Sequence, residues 1–154
     1  DYAKAERQFP PSEKLEARFS LVPAQNGRGE LFIELQDNKG LAHMRLRLSP
    51  DGWLRIRAGS EWRKLRRYEA GEKLDMVIRN DCADFSYQIS VNGEQASFAA
   101  CASCDAVSRI VFRTGELHDI NERDCTPDTP DIPHCSDPLA PAEFFILSLD
   151  VSPV

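Results

Sequence analysis

Apolar and polar residues alternate at period two through nearly the whole chain, and this restricts the fold more than any other feature. Ala17, Phe19 and Leu21 alternate with Glu16, Arg18 and Ser20. Leu31, Ile33 and Leu35 follow, then Met44, Leu46 and Leu48, and then Leu54 with Ile56. A Trp62–Tyr68 segment comes next, then Leu74, Met76 and Ile78, then Phe85, Tyr87, Ile89 and Val91. Further strands are expected near 95–100 and 107–113. A last one carries Phe145, Leu147, Leu149 and Val151 on one face. In an extended chain successive side chains point to opposite faces, so this pattern buries one face of each strand. Turn signals separate the segments at Asn38-Lys39-Gly40, Pro50-Asp51-Gly52, Ala70-Gly71, Asn80-Asp81 and Asn92-Gly93. No window of about twelve residues carries a 3.6-residue period. Around ten short strands with regular turns make an antiparallel β-sandwich. At 154 residues the chain suits one domain spanning 1–154.

The stretch "MRLRLSPDGWLRIR", residues 44–57, permits a register. Ser49-Pro50-Asp51-Gly52 has the chemistry of a type I turn, with Pro50 presetting φ and Gly52 accepting a positive one. Leu48 then lies opposite Leu54 and Leu46 opposite Ile56. On the other face Arg47 meets Arg55 and Arg45 meets Arg57. Like charges directly across a ladder repel, so these arginines require partners. Phe32, Glu34 and Gln36 share the same outward side, and the Asn38-Lys39 turn brings Glu34 beside His43 or Arg45. Asp75 and Glu61 are further candidates for neutralising the arginines. A second expectation is an anionic ligand, a uronate or sulfated glycan, gripped by arginine and stacked on Trp53, Trp62 or Tyr68. The candidate ligand-binding residues are Arg45, Arg47, Arg55, Arg57, Trp53 and His43.

The net charge of −6 is unevenly spread. Residues 41–67 hold eight Lys/Arg against Asp51 and Glu61, whereas residues 115–143 hold eight acids against Arg123. The acidic total argues against a nucleic-acid binder, while the basic zone suits an anion. No apolar run is long enough to insert in a membrane. The segment 115–142 holds five of the ten prolines, and a loop of that length inside a domain is functional or tied down. Asp119, Asn121 and Asp124 there offer hard oxygen ligands for calcium, without EF-hand spacing. Otherwise no cofactor is expected.

Five cysteines fit disulfides and a secreted or extracytoplasmic location, in the periplasm or at a cell surface. Cys125 and Cys135 bracket the Pro/Asp-rich stretch and are natural partners. Cys82 would meet Cys101 or Cys104, and one thiol is left over. Cys101-Ala-Ser-Cys104 has the spacing shared by redox motifs and zinc half-sites. The redox motif needs a βαβ setting that is absent; a zinc site would recruit Cys125, His134 or Cys135. The chain opens at Asp1 without a Met or leader, as expected of a processed chain or of a domain of a larger protein.

The phrases "GELFIELQDNKGLAHMRLRLSPDGWLRI", "YEAGEKLDMVIRNDCADFSYQISVNGE" and "AEFFILSLDV" together resemble the concanavalin A-like, laminin G-like jelly rolls over residues 15–151. The second phrase matches that superfamily's run of Tyr68, a Gly turn, a strand, an Asp-bearing turn at Asp81, and a strand ending in Asn92-Gly93-Glu94. The resemblance implies a two-sheet jelly-roll β-sandwich and a glycan-binding or accessory module of a secreted polysaccharide-active protein. The Glu-x-Asp-x-x-Glu strand of jelly-roll glucanases is absent. So are the Gln-x-His and Tyr-x-Lys-x-Gly-x-Tyr strands of alginate lyases. A non-catalytic carbohydrate-recognition module is therefore the first expectation. A glycoside hydrolase or polysaccharide lyase using His43, Tyr68 and an arginine is the second, and a structural or protein-interaction module the third.

Overall fold

The computed structural model describes residues 3–114 and 141–154. The calcium candidates Asp119, Asn121 and Asp124, and the Cys125/Cys135 pair, lie outside them. Eleven strands are described: β1 (Lys4–Ser12), β2 (Lys14–Pro23), β3 (Leu31–Gln36), β4 (Ala42–Leu48), β5 (Trp53–Ala58), β6 (Glu61–Arg67), β7 (Leu74–Asp81), β8 (Ser86–Val91), β9 (Glu94–Ala99), β10 (Val107–Thr114) and β11 (Phe144–Pro153). They form two antiparallel sheets, ordered β1-β10-β3-β4-β5-β6 and β11-β2-β7-β8-β9. This is the expected jelly-roll sandwich.

The alternating residues supply the two inner faces. Leu15, Ala17, Phe19 and Leu21 with Leu74, Met76 and Ile78 pack against Leu31, Ile33, Leu46, Leu48, Leu54 and Ile56. Phe19 meets Phe112 of the opposite sheet edge-on, with ring centroids 5.4 Å apart. Burying such side chains contributes about 1.5–3 kcal/mol each. The Tyr87 hydroxyl also ties the sheets together by donating to the Arg57 carbonyl. At the β8–β9 hairpin, Asn92 and Gly93 both take positive φ, 51° and 89°, as its two-residue turn requires.

Three differences from the sequence pattern have local causes. β1 carries no apolar alternation and includes Pro10 and Pro11, but it pairs only with β10 at a sheet edge, where proline is tolerated. β7 runs through Asn80 to Asp81 instead of turning there, and Phe85 sits in the following turn at φ 49°. In β11 the register shifts between Ile146 and Ser148. That bulge turns Phe144, Ile146, Leu149 and Val151 toward the core, and leaves Phe145 and Leu147 exposed.

Among the described residues no two cysteines are joined by a disulfide, and Cys82 and Cys104 are free thiols. Of the two expected neighbours of Cys82 it is Cys104 that approaches, with sulfurs 3.6 Å apart, well beyond the roughly 2.05 Å of a bond.

Candidate functional site

The hairpin around residues 44–57 forms in the expected register, with Leu46 opposite Ile56, Arg47 opposite Arg55, and Leu48 opposite Leu54. Its turn closes through Gly52 N–H to the Ser49 carbonyl at 3.0 Å, with Gly52 at φ 76°. Tyr68, following β6, holds this loop from below. Its N–H donates to the Gly52 carbonyl at 3.0 Å, and its hydroxyl to the Ser49 carbonyl at 2.7 Å. Tyr68 is thus a buried brace rather than a stacking platform.

Arg47, Arg55 and Arg45 escape mutual repulsion because each turns to a different acid. Arg47 pairs with Glu30, which precedes β3. Arg55 forms a forked pair with Asp51 of the turn, at 2.7 and 2.6 Å. The guanidinium holds the Asp51 carboxyl down at about 2, well below its usual range. Arg45 lies 2.7 Å from Glu34 across the β3–β4 ladder. Glu34, fully buried, also accepts from Arg113 of β10 at 3.3 Å and from the Gln36 amide at 2.5 Å. Glu34 was legible as an ion-pair partner; Arg113 was not, because β10's place beside β3 is a matter of topology. Asp75 and Glu61 do not neutralise the ladder. Asp75 bonds Ser20 and Lys73 on the other sheet, and Glu61 reaches Arg63.

Aromatic rings lie between these cations. Arg47 and Arg113 approach the Phe32 ring at 5.7 and 5.4 Å, and Arg57 lies 5.5 Å from that of Trp62. Trp53 has Lys64 at 4.8 Å and Arg67 at 4.9 Å, distances at which a cation is attracted to the ring. Lys64 and Arg67 are exposed, and among the described residues neither makes an ion pair. They stand opposite Arg55 and Trp53 in the β5–β6 ladder, so they share that face. Sequence reading missed both, because β6 shows no clean alternation and its register shifts between Leu54 and Arg55.

Burial grades across the face. Arg45 and Arg57 are buried, whereas Arg47, Arg55 and Trp53 keep partial exposure. His43 is not on this face at all. Leu35 pairs with Met44 but Gln36 with Ala42, so His43 is the extra residue of a bulge, a device that re-aims a side chain. Its ring, fully buried, meets Asn80 of the opposite sheet, with Nδ1 2.7 Å from Oδ1. With Tyr68 bonded to Ser49, His43 and Tyr68 do not form the lyase arrangement the sequence allowed. On the other sheet, a groove of about 300 Å³ is lined by Arg79, Gln88 and Ser97 among others. Tyr87, its one aromatic, is buried.

A family model described as the sialidase-like CBM (carbohydrate-binding module) domain matches residues 1–130. The chain belongs to that family. Among solved structures the module is similar to a sialidase, with 34% identity and a TM-score of 0.84. The match covers 99% of this chain and 14% of that one, so the module spans about a seventh of the sialidase's length. It shares its fold with galectin LEC-6 of Caenorhabditis elegans (15% identity, TM-score 0.53, 74% of this chain and 90% of that one). It shares it also with CG-16, a homodimeric agglutinin from chicken liver (7% identity, TM-score 0.58, 97% and 100%). No match was found among the curated proteins. The module is a non-catalytic carbohydrate-binding domain built as a jelly-roll sandwich.

Proposed function

We propose that the module binds an anionic glycan on the outer face of β4–β6. Trp53 would serve as the stacking surface, with Arg47, Arg55, Lys64 and Arg67 as its charged surround. The observation that carries this is the half-buried Trp53 indole flanked by two exposed cations that have no acid among the described residues. A sugar's apolar face stacks on such a ring, while guanidinium and ammonium groups meet its carboxylate or sulfate. Arg45 and Arg57 are too buried to lead, and they position the face instead. The 34% identical relative is a sialidase, and sialic acids are carboxylate-bearing sugars. The module would then be one part of a larger glycan-processing protein, holding it on the glycan it acts upon.

Glycan-array binding followed by titration tests this. We expect sialylated or uronate-bearing oligosaccharides to bind and their neutral counterparts not to. Lys64→Ala/Arg67→Ala and Arg47→Ala/Arg55→Ala should each weaken binding by roughly 10–100-fold, given about 1.5–3 kcal/mol for a charge-assisted contact. Binding to no anionic glycan, or undiminished binding by both double variants, would rule it out.

We place the protein outside the cytoplasm, where a Cys125–Cys135 disulfide would brace the Pro/Asp-rich segment. The cysteine content and the carbohydrate ligand support this, and peptide mapping without reductant would detect the bond.

A further inference from the structure

Away from the cation-rich face, one end of the core holds His43 of β4, Cys82 just after β7, and Cys104 between β9 and β10. A ring nitrogen of His43 and the two sulfurs all lie within 4.8 Å of one another. Two thiols and an imidazole are the donor set of a borderline-soft divalent ion. The sulfurs stand 3.6 Å apart. Two thiolates about 2.3 Å from a tetrahedral zinc stand at roughly that separation.

The surroundings prepare these donors in a specific way. Asn80 Oδ1 lies 2.7 Å from His43 Nδ1. An amide oxygen only accepts, so the bond places the proton on Nδ1 and a lone pair on Nε2. Nε2 is fully buried and has no hydrogen-bond partner among the described residues, a costly state for a polar atom unless something fills it. The Asn80 amide nitrogen donates to the Cys82 sulfur at 3.4 Å, so one side chain orients two of the three donors. Outer-shell contacts of this kind fix the tautomer and direction of metal-binding histidines. Burial pushes the His43 pKa down, which keeps the ring neutral and able to ligate. The Cys82 and Cys104 thiols share a hydrogen bond in which either sulfur can donate. That bond pulls the Cys82 pKa down and pushes the Cys104 pKa up.

Cys101 is excluded despite its two-residue spacing from Cys104. Its sulfur turns toward the Arg57 carbonyl at 3.9 Å, and its backbone N–H bonds the His43 carbonyl at 2.9 Å. Access from outside exists at Cys104, which is partly exposed, and beside Phe85, whose ring meets His43 edge-on at 6.0 Å.

We propose that His43, Cys82 and Cys104 form a zinc-binding site at the end of the sandwich core, with water in the fourth position. Loading releases the two thiol protons to solvent, and the two thiolates balance the ion's charge, so the filled site is neutral. The ion links β4 of one sheet to the loops after β7 and β9 of the other. It is independent of the glycan face, from which His43 is turned away.

Cobalt(II) is the probe, because zinc itself is spectroscopically silent. The reduced, metal-free protein should take up one equivalent of Co²⁺, with an intense near-ultraviolet thiolate-to-metal band and the visible bands of a tetrahedral site. One equivalent of Zn²⁺ should erase them. Cys104→Ser, at a partly exposed position, should lose most of the near-ultraviolet intensity, and Cys101→Ser should retain it; circular dichroism reports the fold of both. Absence of a thiolate band in the wild-type protein would overturn the proposal, as would equal bands in wild type and Cys104→Ser.

Discussion

Replacing Glu34 by alanine should cost about 3–5 kcal/mol of folding stability, the range for removing one partner of a buried ion pair. Urea unfolding reads this as a lower midpoint at unchanged slope. The carboxylate is fully buried and lies between Arg45 at 2.7 Å and Arg113 at 3.3 Å, with the Gln36 amide on its second oxygen. Both guanidiniums are themselves buried. Without the shared anion each guanidinium stays out of water and loses the counter-charge that Glu34 supplies. The Arg55–Asp51 pair provides the contrast. Half of the Asp51 side chain is exposed, and Asp51→Ala should change stability by only about 0–1 kcal/mol. Equal losses in the two variants would show that burial does not set the value of these pairs.

Tyr68→Ala should be comparably severe, at about 3–5 kcal/mol for a buried aromatic cut back to a methyl group. The side chain is 1% exposed and packs into the core while its hydroxyl holds Ser49 of the turn. Tyr68→Phe separates the two contributions: it keeps the ring and loses one hydrogen bond, for about 1 kcal/mol. It also isolates an alkaline effect. Burial pushes the Tyr68 hydroxyl from its ordinary 10.0 up to about 12. The unfolded chain therefore loses this proton first, so the stabilisation is whole below pH 10 and drains away as pH rises toward 12. Unfolding measured at pH 8, 10 and 11 should show the wild type and the phenylalanine variant converging. A constant gap would contradict the assignment.

How much of this was visible in the sequence divides along a physical line. Hairpin register is local, so Ser49-Pro50-Asp51-Gly52 sufficed to place Arg47 against Arg55 and Leu48 against Leu54. Alternation likewise identified the inner faces of β2 to β5, β7 and β8. What escaped was whatever depends on contacts distant in the chain or on a shifted register. Arg113 reaches Glu34 only because β10 inserts between β1 and β3. His43 alternates with Arg45 and Arg47 in sequence, yet a single bulge moves it to the opposite side. Leu147 shows the same failure in β11. The pairing of Cys104 with Cys82 and His43 joins three elements that no spacing rule connects, while the conspicuous spacing to Cys101 leads away from the cluster.

The graded burial of the arginine face has a consequence for how the protein responds to ionic strength. At about 0.15 M salt, charges separated by more than roughly 8 Å of solvent scarcely feel one another, whereas enclosed pairs are little affected. Added salt should therefore release an anionic glycan held at Lys64 and Arg67 while leaving the enclosed Glu34 cluster, and with it the thermal midpoint, nearly unchanged. One sheet face would thus combine a fastening that a salt step undoes with a foundation that survives it, and elution from an immobilised anionic glycan would return folded protein.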